Sequence, residues 1–276
     1  MTPLRTTPMR ATTTNTRPGF TLPPLSCDAH FHVFEPGYRH VPDPLYTFPE
    51  GTLKQYLSLA GRLGVERMVL VQPTFYGTDN GLLLDVLHEA GENCRGVVRV
   101  EDSVSDADLD LFHEAGVRAI RLDLFARASW PVEELVAYIR AMAMRARPRG
   151  WHLQFYAPGA VVRSLAPFLA ELDHTFVIDH MGYGMALDEL LPLLAGGHCY
   201  LKLSGPYRLK TDVTPLARAL VEARPDRLLW GSDWPHLPDG QRDTGELLNL
   251  LAGWAPEPED RHRILVEAPG ELFYAQ

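Results

Sequence analysis

Two histidines stand one residue apart in Asp28-Ala29-His30-Phe31-His32, and far along the chain a carboxylate follows an apolar run in Leu228-Leu229-Trp230-Gly231-Ser232-Asp233. Side chains two apart in an extended segment project to the same side. His30 and His32 are therefore expected on one face, with Asp28 on it as well. A third histidine, His180, ends the run Phe176-Val177-Ile178-Asp179, where a polar group is costly unless partnered. Imidazoles gathered around a carboxylate either hold a metal or activate water. Locally satisfied histidines and a helix-capping aspartate are the plainer alternatives, but three histidines and Asp233 at strand ends favour a site.

Arginines supply a second theme. Arg121 lies near the end of a strand-like run, Arg127 follows in the next loop, and Arg208 closes Gly205-Pro206-Tyr207-Arg208. A guanidinium presents a planar fork matched to carboxylates. Three of them converging on one mouth would suit a substrate with more than one carboxylate, with Tyr156 and Thr74 adding hydroxyls there.

Elements that could position these groups alternate along the chain. Strand-like runs fall at 26–33, 67–72, 96–100, 119–124, 152–156, 176–180, 200–204 and 228–232. Helix-like windows lie near 52–64, 81–92, 106–115, 132–147, 160–171, 187–194, 215–223 and 244–252. Eight strands alternating with eight helices indicate an α/β fold, a single (β/α)8 TIM barrel over residues 25–276. An open doubly wound sheet is the alternative, and the absence of a GxGxxG after the first strand argues against it. In a barrel the active site lies at the carboxyl ends of the strands. The polar residues there are His30 and His32, Gln72 and Thr74, Arg99 and Glu101, Arg121 and Asp123. Gln154 and Tyr156, Asp179 and His180, Lys202 and Ser204, and Asp233 complete the ring.

The chain has 276 residues, a formal charge of −9 and 46% hydrophobic residues. That balance fits a globular protein and disfavours general binding to nucleic acid, which needs a basic surface. No apolar run approaches the roughly 18–20 residues of a membrane span. Cys27, Cys94 and Cys199 lack metal or redox spacing, so buried free thiols and a reducing cytoplasmic setting are expected. Residues 1–24 are rich in Thr, Pro and Arg, have no secretory apolar core, and read as a flexible arm.

Taken together, the Asp-Ala-His-Phe-His-Val, Val-Gln-Pro-Thr, Ile-Asp-His-Met-Gly, Lys-Leu-Ser-Gly and Trp-Gly-Ser-Asp-Trp-Pro blocks resemble the lactonase branch of the amidohydrolase superfamily. Binuclear members of that superfamily carry a bridging Lys or Glu on strand four and a histidine on strand five, where this chain has Arg121/Asp123 and Gln154/Tyr156. The resemblance thus implies a hydrolase that opens a carboxylated lactone, a pyrone dicarboxylate above all, without a metal cofactor. Asp233 would be the general base, with His30, His32 and His180 polarising the carbonyl. Arg121, Arg127, Arg208 and Tyr156 match the branch's carboxylate-binding positions, and Thr74 and Tyr46 match more weakly. The alternative is one zinc held by His30, His32, His180 and Asp233, in a lactonase for sugar acids or muconolactones or in a non-oxidative decarboxylase. The expected partner is a small anionic lactone, with no nucleic acid and no membrane, and the protein is expected as a monomer or small homo-oligomer.

Overall fold

A computed structural model of the chain describes residues 9–10, 16–42, 44, 49–237, 240 and 242–275. Eight parallel strands follow one another around a barrel: β1 (Cys27–Phe31), β2 (Arg67–Val71), β3 (Cys94–Val98), β4 (Val117–Asp123), β5 (His152–Tyr156), β6 (Phe176–Ile178), β7 (Cys199–Leu203) and β8 (Leu228–Trp230). The helices between and after them are α1 (Leu53–Leu63), α2 (Gly81–Ala90), α3 (Asp106–Glu114), α4 (Val132–Ala146), α5 (Gly159–Ala170), α6 (Leu187–Ala195), α7 (Thr214–Ala223), α8 (Thr244–Trp254) and the short α9 (Pro258–His262). None of the described helices is long and apolar enough to cross a membrane.

Local chemistry sets the element ends. Thr52 and Gln55 form a reciprocal capping box at the start of α1, and Gly64 ends it in the left-handed conformation that glycine adopts without a Cβ clash. The expected strands lie where the apolar pattern puts them, with shifted ends. β3 and β4 begin two residues early, at Cys94 and Val117, both buried. β6 ends at Ile178 and β8 at Trp230, short of His180 and Asp233, whose φ of 49° and 57° lie outside the strand region.

Alternation divides the barrel into two packed zones. Outward residues such as Ile120, Leu122, Leu153, Phe155 and Leu201 join the core against the helices. Inward residues Cys27, Ala29, Val69, Val97, Ala119, Val177 and Tyr200 fill the floor together with Phe273 from the carboxyl-terminal tail. All three cysteines are buried and free. Tyr274 staples that tail in place, its hydroxyl 3.0 Å from Met68 O and its ring beneath the guanidinium groups of Arg67 and Arg95.

The seam between β8 and β1 closes through residues just beyond β8. Asp233 N–H donates to His30 O and His32 N–H donates to Trp234 O, each at 2.8 Å. Asp28 reinforces that seam. Its carboxylate accepts from His30 N, Ser232 N and the Tyr56 hydroxyl of α1. The expectation that Asp28 shares a face with the histidine pair is thereby corrected. The register of β1 against β2 shifts between Asp28 and Phe31, and an irregularity of that kind reverses the alternation. Cys27 and Ala29 point into the floor, while His30 and His32 point into the mouth.

Part of the segment expected as an arm has defined contacts: Thr16 Oγ1 donates to Asp243 Oδ2 at 2.9 Å, and Gly19 N–H donates to Asn249 Oδ1 at 2.7 Å.

Candidate active site

Above the apolar floor the barrel interior turns polar. Asp233 is fully buried, and its Oδ2 accepts from Tyr207 OH and from Arg208 Nε, both at 2.6 Å. Its Oδ1 accepts no hydrogen bond. That oxygen is ringed by the Nε2 atoms of His30 at 3.8 Å, His32 at 3.8 Å and His180 at 3.9 Å. Residues from β1, from the turn after β6 and from the turn after β8 thus meet at one carboxylate oxygen.

The backbone is built for that meeting. A Cβ at Gly231 would lie 2.6 Å from His30 Cβ, so only glycine lets β8 approach β1 this closely. His180, Met181, Tyr183 and Asp233 all have left-handed φ between 46° and 57°. Such conformations cost non-glycine residues on the order of 1–3 kcal/mol each and gather at functional sites.

Burial holds all three histidines neutral. It lowers the pKa of His32 to about 3, with the Arg121 charge adding to the effect, and that of His180 to about 4; His30 is also driven well below its usual value. Burial alone would raise the pKa of Asp233, but Arg208 and the nearby imidazoles outweigh it and hold the carboxyl well below the usual range. Asp233 is therefore an anion throughout the neutral range. His32 Nδ1 lies 2.7 Å from Val71 O, which only accepts, so Nδ1 carries the proton and Nε2 presents a lone pair. His32 cannot then be one of three donors to a carbonyl, as the sequence suggested. His180 Nδ1 is fixed by Ser204 Oγ at 2.9 Å.

Beneath the histidines lies a layer of buried charge. Asp179 faces Lys202 Nζ at 3.4 Å and Arg121 Nη2 at 3.4 Å, and it accepts from Gln154 Nε2 at 3.1 Å. Burial pushes the Asp179 pKa up, yet the Lys202 and Arg121 charges bring it well below the ordinary carboxylate range. Arg121 is only 4% exposed; it also donates to Gln72 O and stacks 4.5 Å over the Tyr156 ring. Arg127 belongs to a neighbouring group. It donates to Asp123 O and lies against the Tyr138 and Trp130 rings, while Arg99 pairs with the Asp123 carboxylate at 3.2 Å. Thr74 and Arg99 line a cavity of about 650 Å3 on that side of the mouth. Tyr46 lies outside the described residues.

A family profile described as amidohydrolase matches residues 27–274. The chain belongs to the amidohydrolase family. A 2-pyrone-4,6-dicarboxylate hydrolase of Comamonas testosteroni is 35% identical over 289 residues, covering 94% of this chain and 93% of that protein. A 4-sulfomuconolactone hydrolase of Rhizobium radiobacter is 32% identical, covering 92% of this chain and 91% of its own. Among solved structures, an apo protein from Agrobacterium tumefaciens superposes with a TM-score of 0.82 at 27% identity, covering 96% of this chain and 99% of that one.

By spacing alone, the donor set of this amidohydrolase would admit one divalent ion. His30, His32 and Asp233 offer ligand atoms within 4.8 Å of one another, and the unpartnered Asp233 Oδ1 is a suitable anionic ligand. His180 could complete the set. A bound ion would polarise a carbonyl and acidify a bound water. The strand-four and strand-five positions that would serve a second ion hold Arg121 and Gln154, both engaged with Asp179.

Asp233, His30, His32 and His180, the residues that stand out in the sequence, are brought together in the structure. Tyr207, which shares Asp233 with Arg208, is not among them. Lys202, Gln154 and Asp179 are legible in the sequence only as strand-end positions. Their signal was present: a lysine in the apolar run Cys199-Tyr200-Leu201-Lys202-Leu203 can be tolerated inside a barrel only with an acid and acceptors waiting for it. His236, three residues after Asp233, is fully buried with Nε2 3.3 Å from Thr244 Oγ1.

Proposed function

We propose that this amidohydrolase hydrolyses a lactone bearing carboxylates, with 2-pyrone-4,6-dicarboxylate opening to 4-oxalomesaconate as the best-supported reaction. The observation that carries the reading is Asp233: one oxygen is fixed by Arg208 and Tyr207, and the other is unpartnered and faces three imidazoles. The full-length similarity to two hydrolases named for such lactones points the same way.

In this reading Asp233 Oδ1 takes a proton from the attacking water as a new C–O bond forms at the lactone carbonyl. His30 and His180 turn Nε2 toward the carbonyl oxygen and stabilise the charge that develops on it. When the ring C–O bond breaks, Asp233 returns the proton to the departing enol oxygen, and one carboxyl and one enol result. Anchoring falls to the arginines. Arg208 holds Asp233 through Nε alone, which leaves its two Nη groups for a substrate carboxylate. Arg121 and Arg127 supply positive charge on the opposite wall, with Tyr156 stacked on Arg121. Binding a dianion against these groups fixes the attack geometry. The chain's own donors and cations carry charge stabilisation here, so the reaction is proposed to proceed without a metal. The second reading is a single-zinc lactonase, favoured by the ligand spacing of His30, His32 and Asp233.

Substrate selectivity tests the proposal. The dicarboxylated pyrone should be opened with a kcat/KM at least a hundred-fold above that for uncharged sugar lactones, consistent with about 1.5–3 kcal/mol per charge-assisted hydrogen bond. Equal rates on charged and uncharged lactones would remove the arginines from substrate recognition.

A further inference from the structure

Lys202 is fully buried, and neither the fold nor the proposed reaction uses it directly. Its ammonium lies 2.8 Å from Gln154 Oε1 and 3.2 Å from His30 Nδ1. An ammonium has three protons to give and no lone pair to accept with. At His30 it can only donate, so Nδ1 must carry the lone pair and Nε2 the proton.

A second contact, on the other side of the same ring, requires the same tautomer independently. His30 Nε2 lies 3.3 Å from His32 Nε2. His32 has its proton on Nδ1, committed to Val71 O, so its Nε2 can only accept. The hydrogen bond between the two histidines therefore needs a proton on His30 Nε2. The chain runs in one direction, from Lys202 to His30 to His32 to Val71, with every nitrogen assigned.

We infer that Lys202 is a positioning residue that locks His30 in the Nε2–H tautomer, making His30 a hydrogen-bond donor toward the mouth and weakening it as a metal ligand. A metal on His30 Nε2 would need the opposite tautomer, with the proton on Nδ1. The group able to accept it there is Asp179 Oδ1, 3.5 Å away and now without a hydrogen bond. Carboxylate–histidine pairs of that kind commonly support bound metals. In this barrel Lys202 has taken the carboxylate's place at Nδ1 and sits 3.4 Å from the same carboxylate. The HxH motif thus keeps the form of a metal site while one of its ligating nitrogens is occupied by a proton. This deepens the metal-free lactonase reading and rests on it for its catalytic meaning, but the tautomer itself involves no substrate.

Two measurements without substrate test it. Long-range 1H–15N correlation spectra of the wild-type protein, with the His30 signals assigned by His30→Gln, should show His30 protonated at Nε2; protonation at Nδ1 overturns the inference whatever any variant does. Zinc titration against a chromophoric chelator should show Lys202→Met binding zinc at least ten-fold more tightly than wild type, within the 10–100-fold range by which outer-shell partners alter metal affinity. Native circular dichroism is required of the variant, because an unfolded chain would expose the buried cysteines and histidines, which bind zinc themselves. Equal or weaker zinc binding by a Lys202→Met protein with native circular dichroism also overturns it. Should Lys202→Met not fold, the wild-type spectrum decides alone. A failed lactone assay would leave both readouts intact, so the two proposals fail separately.

Discussion

The two ends of the barrel interior each bury a histidine in neutral form, and they use it in opposite ways. At the mouth, His180 has its pKa lowered to about 4; at the floor, burial lowers that of His152 to about 3. His180 is fixed by Ser204 and faces Asp233. Neither ring nitrogen of His152 has a hydrogen-bond partner, and its ring packs edge-on against Phe273. Burial and a depressed pKa are common to both, so they do not distinguish a site from packing. What distinguishes the mouth is direction. Each imidazole there has one nitrogen held by a named partner and the other aimed at a carboxylate oxygen.

The largest effect expected from breaking this contrast is at Asp233. Asp233→Asn should lower kcat by about a thousand-fold, in the range for loss of a general base, while KM changes only a few-fold. Steady-state kinetics check it, and turnover within ten-fold of wild type would take the base role away from Asp233.

A smaller effect is expected from Tyr207→Phe, which removes one of the two hydrogen bonds to Asp233 Oδ2. The base works only when ionised, and its depressed pKa keeps it so as the pH falls. Losing a donor to the anion raises that pKa, so the acid limb of kcat/KM should move to higher pH by about one unit. An unmoved limb would mean that Tyr207 does not support the carboxylate.

The smallest kinetic effect belongs to the floor. His152→Leu should leave kcat unchanged and flatten the dependence of stability on pH. Unfolded His152 takes up a proton near its usual 6.5, while the folded residue resists until about 3. The unfolded state therefore binds more protons in that window, and stability falls as pH drops through it by up to about 1.4 kcal/mol per pH unit for this residue. Urea denaturation between those pH values should show a shallower slope in the variant. An unchanged slope, or a lost activity, would erase the distinction between floor and mouth.

Much of this architecture is legible in the sequence because barrels repeat one pattern. Apolar runs of about five residues locate all eight strands, and the rule that sites lie at strand carboxyl ends picks out His30, His32, His180 and Asp233. Two features escape that logic. The register shift in β1 moves Asp28 from the histidine face to the seam, and period-two reading cannot anticipate an irregularity. The partners of the arginines depend on residues far apart in sequence. Arg208 reads as a free substrate clamp, but in the fold it is also the counter-ion of Asp233; Arg121 is anchored on Asp179, 58 positions away. Lys202 illustrates the same limit. Its presence in an apolar strand is visible, and its contact with His30 across the barrel is a product of closure.

The central claim, that Asp233 and its neutral histidines open a carboxylated lactone without a metal, has one most direct measurement. Purified protein is stripped with a strong chelator, its metal content is determined, and hydrolysis of 2-pyrone-4,6-dicarboxylate is followed in the same sample. The expected result is undiminished turnover at a metal content far below one ion per chain. Turnover that disappears with the metal and returns with zinc would contradict it.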